Sequence, residues 1–246
     1  MIILIRALWI ASTLARAIMA FRLPAVGLLG RYPALTAYLA FSSTQSILSM
    51  ADKWLHGNYA GKWIALVPIA IALQCLMTLE CFHHMVRHLA NVRIFGWVLL
   101  IAFGGLSIAV VLATSSIADD WTGLIAARTM MIRHYSLACL LTVAACRWFC
   151  QRAGRLRTNT LKHSAALMLL LGGHVFASAI ISLTRDYWTV GIAQIVMQCS
   201  AVGASAIWWR MDSDGDEWIP PVPPCGGNGR EDARRVSRAA AAAIGG

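Results

Sequence analysis

Long apolar runs recur along this chain, at about residues 2 to 20, 34 to 51, 63 to 82, 95 to 117, 131 to 150, 164 to 184 and 188 to 209. A helix rises about 1.5 Å per residue, so roughly 20 apolar residues cross a hydrocarbon core about 30 Å thick. In such a core every backbone amide and carbonyl must be bonded internally, and a helix does this within its own segment. The runs therefore predict an all-α fold, a polytopic membrane bundle of seven transmembrane helices, or six if the first run lies only in the interface. The first run is the weakest, because Arg6 and Arg16 interrupt it. No basic segment precedes its apolar part, so a cleaved signal peptide is not expected, although Ala15-Arg16-Ala17 has small-x-small spacing.

Composition agrees with a membrane chain, at 59% hydrophobic and 13% charged residues, where soluble domains carry about 25% charged. The formal net charge of +10 then asks which side of a membrane the cations occupy, and nucleic acid is not an expected partner. Basic residues concentrate in alternate connections: Arg16, Arg22 and Arg31; then Arg87 and Arg93; then Arg147, Arg152, Arg155, Arg157 and Lys162; then Arg210. The intervening connections mix signs, with Asp52 beside Lys53 and Lys62, Asp119 and Asp120 ahead of Arg128 and Arg133, and Arg185 beside Asp186. Because Lys and Arg gather on the cytoplasmic side, the pattern predicts N-out/C-in orientation in a bacterial inner membrane, with anionic lipid at the basic inner loops.

Residues 1 to 210 are thus expected to form the transmembrane domain. Residues 211 to 246 turn acidic, then Pro- and Gly-rich, then Ala-rich, and too few apolar side chains remain for a core, so a disordered cytoplasmic tail is expected. Six of the seven cysteines lie in or at the ends of apolar runs, where a thiol acts as a small hydrophobe.

Chemistry-bearing residues are sparse. Leu79 to His88 reads LECFHHMVRH, and on a helix Glu80, His83, His84 and Arg87 share one face, with His88 close by. The spacings Glu80 to His83 and His84 to His88 are those at which two side chains can share a metal, with Glu80, His84 and His88 the candidate ligands. A di-iron bundle needs two E-x-x-H motifs and further carboxylates, whereas Glu80 is the acid these runs contain. The alternative is a helix leaving the membrane, with its histidines and Arg87 at headgroup level. Glu80 is then the unusual residue, since a carboxylate inside the boundary needs a partner; His83, His84, Arg147 or an arginine of the first connection is expected to supply one. His174, beside Gly172 and Gly173, falls mid-run and, with His134, raises a haem reading. Gln74, Gln194 and Gln198 add intramembrane polar groups that either bond between helices or line a path. Asp212-x-Asp214-x-Asp216 fails as a calcium loop, having Pro223 where the twelfth-position glutamate belongs.

RLPAVGLLGRYPALTAYLAF, LECFHHMVRHLANVRIFGW, NTLKHSAALMLLLGG and WWRMDSDGDE, in that order, resemble a group of small, uncharacterised seven-helix integral membrane proteins common in Acidobacteria. The resemblance covers most of residues 1 to 217. It implies the same topology, an Arg31-Tyr32-Pro33 opening to the second helix, a glutamate near the inner end of the third at Glu80, and an Asn159/His163 motif at the cytoplasmic face; it assigns no reaction. Cys81 departs from the larger residue that often follows the glutamate in that group. No complete catalytic set accompanies these residues, so the expected function is a non-enzymatic sensor or interaction module with a membrane or cytoplasmic protein partner and no cofactor. The alternatives are a haem- or metal-binding redox protein and a small transporter.

Overall fold

The computed structural model describes residues 1–54, 59–86, 94, 97–98, 101, 121–152, 156–183 and 187–213. Every regular element among them is an α-helix: α1 (Ile2–Ala25), α2 (Pro33–Trp54), α3 (Tyr59–Val86), α4 (Trp121–Arg152), α5 (Thr158–Leu183) and α6 (Tyr187–Trp208). Four are long and apolar enough to cross a membrane: α1, α3 over Pro68–Val86, α5 over Thr158–Ile181, and α6 over Trp188–Trp208. The first run, expected to be the weakest, is among these four. α2 is diluted by its Ser42-Ser43-Thr44-Gln45-Ser46 run, and α4 by Arg133, His134 and Arg147. The fourth apolar run, 95 to 117, lies outside the described residues apart from 97, 98 and 101.

The helices close into a ring. α1 packs on α2 and on α6, α2 on α3, α3 on α4, α4 on α5 and α5 on α6, while α5 also reaches α3 across the centre. α3 and α4 run in the same direction. The Cys150 thiol meets the Met85 carbonyl at 3.6 Å near their C-termini, and Tyr135 lies beside Cys75 further up both helices. The chain therefore leaves α3 at one end of the bundle and joins α4 at the other.

The turn that positions the site is set by local chemistry. α1 ends in a Schellman motif, with the Leu28 amide donating to the Leu23 carbonyl at 2.9 Å and the Gly27 amide to the Pro24 carbonyl at 3.0 Å. Gly27 takes φ +77°, the left-handed conformation that favours glycine there. The chain then turns through Arg31 to Tyr32, and Pro33 starts α2 where its missing N–H costs nothing. Around this end Leu23, Leu28, Tyr32, Phe82, Trp208 and Met211 are buried together.

Candidate functional site

The first four amides of a helix have no partner within it and carry the positive end of its dipole. At α2 two of them are met by a side chain from another helix. Glu80 of α3 accepts the Ala34 amide at 2.7 Å and the Leu35 amide at 3.2 Å, one carboxylate oxygen to each. Its side chain is 8% exposed, so these charge-assisted bonds replace lost hydration.

His163 of α5, with a fully buried ring, stands next to this carboxylate. The Trp208 indole N–H donates to its Nδ1 at 3.0 Å, which puts the imidazole proton on Nε2. That Nε2 is buried without a hydrogen-bond partner and lies 3.9 Å from Glu80 Oε1, with the Met77 backbone also beside it. Tyr32 packs between two imidazoles, its ring 4.8 Å from that of His84 and 5.2 Å from that of His163. His84 Nε2 in turn donates to the Arg31 carbonyl at 2.7 Å. The carboxylate and the imidazole N–H thus stand 3.9 Å apart in dry surroundings, with the other ring nitrogen engaged by Trp208.

The same end fastens the chain beyond α6. Asn159 donates to the Asp212 carbonyl at 2.5 Å and accepts the Asp212 amide at 3.3 Å. Arg22 donates to the Met211 carbonyl at 3.1 Å, lies 3.8 Å from the Asp212 carboxylate and covers the Trp209 ring at 4.6 Å. Lys162 bonds the Arg210 carbonyl and sits 3.9 Å from Asp212. Arg31 donates to the Ser213 carbonyl at 3.0 Å. The expected boundary after residue 210 is therefore early, because Met211, Asp212 and Ser213 remain bound to the bundle and Met211 is fully buried.

Glu80 is met by the α2 amides and by His163; His83 is exposed and is not a partner, and His84 Nε2 donates to the Arg31 carbonyl. Arg147 is not a partner either, since it donates to the Leu161 carbonyl at 3.0 Å and the Ser164 hydroxyl at 3.1 Å. His88 and Arg87 lie outside the described residues, and among the described residues no group of three or more His, Cys, Asp or Glu side chains is arranged to hold a metal. His134 donates to the Met130 carbonyl of its own helix at 2.8 Å, while His174 Nδ1 accepts from Gln74 at 3.3 Å. Gln194 and Gln198 do not act together, for Gln194 is exposed and Gln198 meets Ser12 of α1. Gly173 permits close approach, because a Cβ there would fall on the Ser200 side chain, but one at Gly172 would meet nothing among the described residues.

Arg16, expected in the first connection, lies inside α1, roughly 9 Å along the helix from Arg22. There it donates from Nε to the Ser12 carbonyl at 3.0 Å and from Nη2 to the Ser12 and Ser46 hydroxyls, both at 3.2 Å. Nη1 bonds the Ser42 hydroxyl. Ser12, Ser42 and Ser46 are all buried. The sequence carries a signal for this arrangement, Ser12 four residues before Arg16 and Ser42 four before Ser46, spacings that align side chains on one helix face. With Gln198, Gln74 and His174 these residues form a second polar layer, deeper in the bundle than Glu80.

Comparison with protein families, with curated proteins and with solved structures finds no match.

Proposed function

We propose that the chain is a multi-pass inner-membrane module without enzymatic activity, a sensor or interaction component whose state reaches a partner through the segment leaving α6. The observation that carries this is the convergence on one end of the bundle. Glu80 ties α3 to the start of α2, His163 joins that carboxylate to Trp208, and Asn159 holds Asp212. A change at the carboxylate therefore has a short physical route to residues 208–213. The four motifs behind the Acidobacterial resemblance contribute Arg31, Tyr32, Glu80, Asn159, His163 and Asp212 to this one cluster, which supports reading it as the functional end.

We read the topology as seven helices, N-out/C-in. The parallel course of α3 and α4 supports a further span between them, since Val86 and Trp121 stand at opposite ends of the bundle. The alternating charge of the connections supports the orientation, and it puts the Glu80 end at the cytoplasmic face, within reach of anionic lipid and of a cytoplasmic or membrane protein.

Hydrogen exchange on the full chain in neutral detergent tests the coupling. Glu80→Gln should raise exchange in peptides covering 31–36 and 208–213 together. Loosening of 31–36 alone would count against a signal carried to the tail. A transporter is the second reading, favoured by the deeper polar layer around Arg16, Gln74, His174 and Gln198; solute uptake into proteoliposomes that is lost in Gln74→Ala would move the assignment there.

A further inference from the structure

We infer that the Arg16 layer is a binding site for a small monovalent anion, a halide or a short carboxylate. A guanidinium cannot lose its charge in a protein, and a cation at membrane depth is ordinarily paired with an acid or with backbone carbonyls, or set against a water-filled cavity. Arg16 is bonded to neutral groups throughout: one carbonyl and the hydroxyls of Ser12, Ser42 and Ser46. The neighbouring carboxylate on α3, Glu80, is committed to the amides of Ala34 and Leu35, and Asp212 to the bundle end.

The layer is also richer in donors than in acceptors. Of the five guanidinium N–H groups, one on Nη1 is left after the bonds to Ser12, Ser42 and Ser46 are made. The Ser42 hydroxyl accepts from Arg16, and its own proton has no acceptor among its bonds. Ser42 is 8% exposed, so bulk water is a poor substitute. His174, across the ring on α5, is within electrostatic reach of Arg16, and Gln74 fixes its Nδ1 as an acceptor, which leaves an N–H on Nε2. One positive charge with spare N–H and O–H donors, drawn from α1 and α2 and backed by α5, is complementary to one negative charge with several lone pairs. A divalent anion would leave a net charge in the bundle, which is why a single charge is specified.

This site stands on its own geometry and holds whichever reading of the inner end is correct. The test is thermal unfolding of the full chain in neutral detergent, titrated with sodium chloride or sodium formate against sodium gluconate at constant ionic strength. Wild type should be stabilised saturably by chloride and formate and not by gluconate. Arg16→Gln should weaken the apparent affinity at least tenfold, and Ser42→Ala, which keeps the cation, several-fold. If Arg16→Gln does not fold, Ser42→Ala decides. A flat response to both small anions, an unchanged affinity in Ser42→Ala or in folded Arg16→Gln, or a response only to phosphatidylglycerol added in place of the salts would each overturn the proposal.

Discussion

Glu80 stands out in the sequence itself, as the one acid within the apolar runs. Its partners do not, because two of the groups that answer it are the backbone amides of Ala34 and Leu35, which carry no side-chain signature, and the other, His163, comes from a helix distant in sequence. Pro33, at the first helical position, marks where those amides become free, and that is the trace the sequence holds. Hydrogen bonds to a charged group contribute about 1.5–3 kcal/mol, so Glu80→Ala should lower stability by about that amount in thermal unfolding in detergent. Glu80→Gln keeps the volume and one acceptor oxygen and should cost less. Equal unfolding temperatures for wild type and Glu80→Ala would show that α2 does not depend on the carboxylate. Arg16 is hard to place from sequence for a related reason: a basic residue late in an apolar run looks like a loop charge until Ser12, Ser42 and Ser46 are seen to face it.

At the scale of elements, periodicity and run length locate each described helix, while the polar composition of α2 conceals why it is polar. Ser42 and Ser46 face Arg16 of α1, and that requirement comes from a neighbouring helix. The paired glycines of α5 look equivalent in sequence, yet they differ in what lies opposite. Gly173→Ala forces a side chain onto Ser200 of α6 and should destabilise the α5–α6 contact, whereas Gly172→Ala should be neutral or slightly stabilising through helix propensity. Unfolding midpoints of the two variants separate these outcomes. The segment beyond α6 resembles a tail from residue 211 because acidic and proline-rich composition dominates there. Its first residues are held by buried Asn159, so Asn159→Ala should speed limited proteolysis after Trp209 or Arg210, with cleavage in the helices unchanged.

For the molecule as a whole, the all-helical architecture and the membrane-length helices are readable from hydropathy alone. The convergence of Arg31, Tyr32, Glu80, Asn159, His163 and Asp212 is not, since these residues are spread from the first connection to the end of α6 and only the ring order of the helices brings them to one end. Everything proposed for that end depends on which side of the membrane it faces and on a crossing between Val86 and Trp121. Reporter fusions after Leu89, Asp119 and Arg155 of the full-length gene measure both at once. Cytoplasmic behaviour is expected at Leu89, periplasmic at Asp119 and cytoplasmic at Arg155. Leu89 and Asp119 reporting the same side, or all three reporting the reverse, would contradict the seven-helix, N-out/C-in bundle.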